Sequence, residues 1–194
     1  MPPKIINDEQ YEFWNEGIGK KWVQEDASMN ERFTILTDEF FSRTMINKDD
    51  SILDIGCGGG ITSYEASKLV GENGYVLGAD ISEILLDLAN KNYSSIKNLE
   101  FKYCDVQNYE FEKKIFNKVI SRFGVMFFEN PIEAFKNISN SIQDGGSLHF
   151  VCWADVMENE FFTLSVNIII NYLKKDFPEI TRAPGPFAFS EEDY

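Results

Sequence analysis

The chain has 194 residues, 43 % of them apolar, with 17 phenylalanines, and carries 18 Lys+Arg against 32 Asp+Glu for a net charge of -14. That length allows one domain at about 100–200 residues each, and the apolar content excludes disorder for the body of the chain. The acid excess leaves no Lys/Arg stripe for nucleic-acid phosphates or an anionic membrane surface, so neither partner is expected.

The opening MPPKIINDEQ lacks the apolar stretch of a secretion signal, and no apolar run approaches the about 18 residues of a membrane span, so a cytoplasmic location is expected. Residues 1–28 place Tyr11, Phe13, Trp14 and Trp22 among charges and two glycines. This reads as a lid-like segment that packs down on a domain formed by residues 29–194. Phe33, Leu36, Phe40 and Phe41 then recur at steps of three and four, which predicts an amphipathic helix over 29–46.

From residue 51 short apolar runs alternate with helical segments. The runs are Ser51–Ile55, 75–79, Leu99–Tyr103, 118–121 and 147–153. Between them, Ile61–Val70 stops at Gly71, Ser82 is an N-cap for a helix carrying Ile84, Leu85 and Leu88, and Asn130-Pro131 opens a helix expected to end at Asp144-Gly145-Gly146. Strands alternating with helices predict an α/β fold, a doubly wound Rossmann-like, mostly parallel sheet with helices on both faces. Phe161, Leu164, Ile168, Tyr172 and Lys175 follow at helical spacing over 158–175 and are expected to pack on the core, with a dimer surface as the alternative. Ser190-Glu-Glu-Asp193 has the form of a capping box just before the last residue, Tyr194.

The chemistry concentrates at strand ends. Ile52-Leu-Asp54-Ile-Gly56-Cys-Gly58-Gly-Gly60 joins a buried strand to a helix through an acid and a glycine-rich turn. Such a turn lets a ligand approach closely, and its N–H groups and the helix start can hold a carboxylate or phosphate. The dinucleotide pattern G-x-G-x-x-G fails, since Ile61 and Ser63 stand where its third glycine belongs. Asp54 suits a ligand with a positive charge near the turn, as an amino acid's ammonium would supply. Asp80 lies 20 residues beyond Gly60 at the end of the second strand, where a doubly wound sheet offers an acid to ribose hydroxyls. Asp105 ends the third strand, where it could accept from an adenine amino group. Each acid alone reads equally as a strand-end residue or a cap; three on consecutive strands beside a glycine turn make a ligand site.

Cys57, Cys104 and Cys152 are odd in number without C-x-x-C spacing, and His149 is the only histidine. Reduced thiols are expected, and metal and thiol catalysis are set aside. His149 reads as a hydrogen-bonded core residue, Arg122 as a salt-bridge partner or a substrate contact, and Phe123, Met126, Phe127 and Phe128 as core or as an apolar acceptor wall.

These residues resemble the class I S-adenosylmethionine (SAM)-dependent methyltransferases over roughly residues 50–153. The resemblance implies that Gly56, Cys57, Gly58 and Gly60 lie against the methionine moiety and that Asp80 bridges the ribose hydroxyls. Ile81 would lie on the adenine face, Asp105 and the Val106 N–H would read the adenine edge, and Ser121 would stand near the methionine amino group. Ser121-Arg122-Phe-Gly-Val-Met-Phe-Phe-Glu-Asn-Pro131, the run to Trp153 and Trp14…Gly19…Trp22 resemble more closely a subgroup related to the ubiquinone/menaquinone-biosynthesis methyltransferases. Two departures stand out: Asn117 follows Phe116 where the family has Asp, and the family's final antiparallel hairpin is missing, which leaves an open edge near the fifth strand and a possible homodimer contact. The expected function is methyl transfer from SAM to a small-molecule acceptor by in-line displacement, with Trp22, Arg122 and Met126 as substrate contacts and no general base assigned. A non-catalytic SAM-binding protein and, on weaker grounds, a nicotinamide-dependent oxidoreductase are the alternatives.

Overall fold

A computed structural model describes residues 4–174, 176 and 184–189. The apolar runs form β1 (Ser51–Ile55), β2 (Tyr75–Asp80), β3 (Leu99–Tyr103), β4 (Phe116–Arg122) and β5 (Ile142–Val151). They pair in one parallel sheet of order β3-β2-β1-β4-β5. The order reverses between β1 and β4, so the crevice for a ligand lies at the carboxyl ends of those strands.

Period-two alternation divides the strands' side chains between two cores. Ile52, Val76 and Ile120 pack with Phe40, Ala66 and Val70 on one face. Leu53, Ile55 and Val119 pack with Ala134 and Ile138 on the other. The helices start as their caps dictate. The Leu85 N–H donates to Ser82 Oγ at the start of α5 (Glu83–Tyr93), and the Glu133 N–H to Asn130 Oδ1 at the start of α6 (Pro131–Ser141), while α4 (Ile61–Val70) stops at Gly71.

Three features depart from the sequence reading. The helix expected over 29–46 is two helices, α2 (Ile18–Arg32) and α3 (Thr34–Thr44), with the break at Phe33, whose ring turns inward to within 5.4 Å of Phe123 and 6.0 Å of Trp153. Residue 28 therefore lies inside α2; before it come α1 (Asp8–Glu12) and one π-helical turn, Phe13–Gly17. At the other end, α6 stops at Ser141 because Asp144-Gly145-Gly146 forms an irregularity within β5 rather than a helix stop: the register with β4 shifts there, and Gly145 has φ +83°. The stripe on α7 (Glu160–Leu173) has helical spacing but is not core, since Leu164, Ile168 and Tyr172 are 62, 64 and 86 % exposed. Lys175 and the Ser190–Asp193 signal lie outside the described residues, among which no strand follows β5. Among those residues no helix is long and apolar enough to cross a membrane.

Candidate functional site

The floor of the site is backbone. In the turn from β1 to α4, Gly56, Gly58 and Gly60 have φ of +65, +55 and +87°. The N–H groups of Gly56 and Cys57 donate to the Ala79 carbonyl at the end of β2. A Cβ added to Gly56 would stand 2.7 Å from the Cα of Gly124, so the turns after β1 and β4 touch backbone to backbone. Ser121 locks that contact from beneath, its hydroxyl donating to the Ile55 carbonyl at 2.8 Å and accepting from the Gly124 N–H at 3.2 Å.

The three acids are placed differently. Asp54 is fully buried; its Oδ2 accepts from the hydroxyls of Thr62 and Ser63 at 2.6 Å each, and its Oδ1 has no hydrogen-bond partner among the described residues. Burial pushes its pKa up to about 6 against the pull of those hydroxyls and of Arg122. Asp80 accepts the Gly58 N–H at 2.7 Å on Oδ2 and the Ser82 N–H at 2.8 Å on Oδ1. Burial raises its pKa while these backbone donors lower it. Asp105 takes the Gln107 N–H on Oδ1, and on Oδ2 the N–H groups of both Ile6 and Asn7, each at 3.1 Å.

Above this floor lies a cavity of about 460 Å³, within the range of small-molecule sites. Of the residues singled out from sequence, Gly56, Cys57, Gly58, Asp80, Ile81, Asp105, Val106, Trp22, Arg122 and Met126 line it. Asp54, Gly60 and Ser121 do not; they lie behind the lining, Gly60 against Phe101 and Ala89. The roof comes from the N-terminal helices. Trp14 meets Trp22 and Phe127 edge-on at 5.9 and 5.2 Å. Asn15 clamps the start of α5, donating to the Ile81 carbonyl and accepting from the Glu83 N–H.

One end of the cavity is aromatic. Phe123 stacks on Trp153 at 4.6 Å with 9° between planes, and Trp153 on Phe161 at 5.7 Å with 13°. Phe123 has φ +66°, a conformation rare for an aromatic residue, which aims its ring at this stack. Arg122 takes part in no ion pair among the described residues; its Nη1 donates to Thr37 Oγ1 and its Nη2 to Asn30 Oδ1, both at 2.8 Å. The lining also holds Asp26, Asn30, Phe33, Trp153 and Phe161, which sequence reading did not place in the site. Only the contact of α2 with the glycine turn could have revealed Asp26 and Asn30, and no local spacing encodes it.

Cys57 and Cys104 are buried, and burial with the nearby aspartates raises both thiols, that of Cys104 to about 12. His149 does not line the cavity and pairs through Nε2 with Ser147 Oγ at 2.8 Å.

Comparison with known proteins places the chain. Residues 46–180 match the family model described as a methyltransferase domain. A putative methyltransferase of Invertebrate iridescent virus 6 is 32 % identical over 157 residues, 80 % of this chain and 55 % of that protein. Demethylmenaquinone methyltransferase of Staphylococcus aureus (strain JH9) is 29 % identical over 151 residues, 77 % of this chain and 59 % of that protein. The chain thus spans under two thirds of the length of these curated relatives. In fold it resembles the crystal structure of a putative SAM-dependent methyltransferase from Methanococcus maripaludis, with a TM-score of 0.59 at 20 % identity over 89 % of this chain and 75 % of that one. With the family model matched over most of its length and the parallel sheet in place, the chain belongs to the methyltransferase-domain family, among the class I SAM-dependent methyltransferases related to the ubiquinone/menaquinone enzymes.

Proposed function

We propose that the chain binds SAM at the carboxyl ends of β1, β2 and β3 and transfers its methyl group to a small apolar acceptor held at the aromatic end of the cavity. The observation that carries this reading is one cavity with two chemically distinct ends. One end has the glycine turn, Asp80, Ile81 and Val106; the other has Phe123, Trp153 and Phe161.

The residues present fit the cofactor. Each oxygen of Asp80 accepts one backbone N–H and so keeps a lone pair, matching the two hydroxyls of a ribose. Ile81 supplies an apolar face for adenine, and the open glycine turn admits close approach of the methionine portion. Asp105 Oδ2 already accepts two N–H groups, from Ile6 and Asn7, while Oδ1 accepts only that of Gln107 among the described residues and keeps a lone pair, so an adenine amino group would either compete on Oδ2 or take Oδ1.

When bound, SAM supplies an activated methyl group on a sulfonium. The protein's share is positioning: the Phe123–Trp153–Phe161 stack orients the acceptor, and the roof residues Trp14 and Trp22 exclude water. Alignment of this kind can contribute about 7–11 kcal/mol to a rate. Among the described residues no side chain lining the acceptor end is placed as a general base, so an acceptor atom that ionises readily suits the site.

Calorimetric titration with SAM, its demethylated product S-adenosylhomocysteine (SAH), and NAD tests the reading. Binding of SAM and SAH but not NAD is expected, and Asp80→Ala should weaken it by about 1.5–3 kcal/mol, the scale for losing a charged acceptor. No binding of SAM or SAH by the folded wild-type chain would overturn it.

A further inference from the structure

Resting on that reading of the site, we infer that Asp26, on the roof helix α2, is the carboxylate that receives the ammonium of the cofactor's methionine portion. Asp54 was the residue expected to carry that charge from its place in the sequence. Its carboxylate lies behind the lining, fully buried, with Oδ2 committed to two hydroxyls of α4. A ligand in the cavity meets Asp26 instead.

Three observations place Asp26 there. It lines the cavity, and a Cβ added to Gly59 would stand 2.5 Å from its Oδ1, so this oxygen rests against the glycine turn. Only its Oδ2 accepts a hydrogen bond among the described residues, from Asn30 Nδ2 at 3.1 Å, which leaves Oδ1 open. The carboxylate is also held in orientation: Asn30 turns its Nδ2 to Asp26 and its Oδ1 to Arg122, and Arg122 is anchored in turn on Thr37 of α3. Arg122 thus reaches Asp26 through a neutral amide, which leaves the acid without a direct counter-ion among the described residues. A partly desolvated carboxylate without a paired cation is costly, and a ligand ammonium is what would offset that cost. Burial accordingly lifts the Asp26 pKa, while Asn30 and Arg122 pull it down.

The assignment makes the roof a part of the cofactor site rather than only its cover. The glycine turn and the start of α4 are suited to the methionine carboxylate, and the opposite charge of the same moiety is met from above by α2.

The test titrates wild type and Asp26→Asn with SAH, SAM and 5′-methylthioadenosine, which keeps the nucleoside and lacks the amino acid. Asp26→Asn should weaken SAH and SAM alike by about tenfold or more, the effect of removing a charged hydrogen-bond acceptor, and leave 5′-methylthioadenosine unchanged. Deaminated SAH should bind wild type as weakly as SAH binds the variant, with no further loss when variant and deaminated ligand are combined. Asp26→Glu, which keeps the charge, should recover part of the affinity. Equal loss for all three ligands would make Asp26 a brace for the roof, loss for SAM alone would make it a reader of the sulfonium, and unchanged SAH binding would place the ammonium elsewhere. Each of these outcomes overturns the inference. Failure of wild type to bind SAH at all would instead overturn the proposed function.

Discussion

The floor and the roof of the cavity are built on different principles. The floor is made of strand ends and tight turns whose contacts are backbone on backbone: Gly56 against Gly124, the Gly56 and Cys57 N–H groups on the Ala79 carbonyl, Ser121 locking β1 to the turn after β4. The roof is a run of helices held down by separate polar ties, among them Asn7 to the Phe127 carbonyl, Asn15 to Ile81 and Glu83, Trp14 to Ser82, and Arg122 to Asn30. A floor of that kind has no smaller state to relax into, so damage there becomes loss of fold. The roof can lose a tie and remain, so damage there becomes loss of ligand.

The largest effect expected from this contrast is at Gly56. Adding a methyl group puts a side chain at φ +65° and 2.7 Å from a backbone carbon of the neighbouring turn. The left-handed conformation and the overlap together should cost about 2–5 kcal/mol. Urea unfolding of Gly56→Ala measures it directly; a midpoint within error of wild type would mean the two turns move apart freely and the floor is not rigid.

Asp54 tests the same floor through pH. Its folded pKa of about 6 lies above the ordinary aspartate value of about 4, so the native state holds the proton more tightly than the unfolded chain. The stability it contributes is complete below about pH 4 and is lost as pH rises through 6, up to about 3 kcal/mol by pH 7.5. Asp54→Asn keeps an acceptor for Thr62 and Ser63 without the charge. Its stability relative to wild type should therefore be near zero at about pH 3 and positive by about 1–3 kcal/mol at pH 7.5. A difference that does not change with pH would show that the charge is not what burial opposes.

Removing the roof should give the opposite signature. Deleting residues 1–32 takes away α1 and α2 up to the break at Phe33 and leaves all five strands and both cores. Unfolding should remain cooperative while SAH affinity falls by about tenfold or more, through loss of Asp26 and of closure over the site. Collapse of cooperativity with affinity retained in the folded fraction would make the segment a structural brace.

The same division explains how much of the molecule is legible in its sequence. The strands are legible because β1, β2 and β4 are buried on both faces, which forces short apolar runs, and because Gly56-x-Gly58-x-Gly60 is a local solution to a local turn. Asp80 and Asp105 were legible for the same reason, since each ends or follows a strand whose end must lie in the crevice. Asp54 is next to last in its strand, yet points to the other face, because side chains alternate and its neighbours Leu53 and Ile55 take the face toward α6. Phe33 was misread because its periodicity fits a helix that its ring, drawn toward Phe123 and Trp153, interrupts. The roles of Asp26 and Asn30 depend on tertiary docking of α2, with Asn30 and Arg122 separated by 92 residues. The α7 stripe shows the converse: periodicity reports a helical face, and burial depends on what is there to cover it.

The smallest effect joins the two regions. Ile6 and Asn7 reach down from the roof and place both N–H groups on Asp105 Oδ2, while Asn7 Nδ2 holds the Phe127 carbonyl at 2.7 Å. Both lone pairs of Asp105 Oδ2 are taken, whereas Oδ1 holds only the Gln107 N–H among the described residues. An adenine amino group that takes Oδ2 must displace at least one of these donors, exchanging one hydrogen bond for another, which limits the net effect to about 1 kcal/mol; unchanged SAH binding after their removal would place the amino group on Oδ1. Deleting residues 1–7, in contrast to deleting 1–32, should tighten SAH binding by about threefold to fivefold and leave ligands without adenine unaffected. Calorimetry on the two truncations side by side settles the sign. If the short truncation also weakens binding, Ile6 and Asn7 orient Asp105 for the adenine rather than compete with it, and they belong to the floor rather than to the roof.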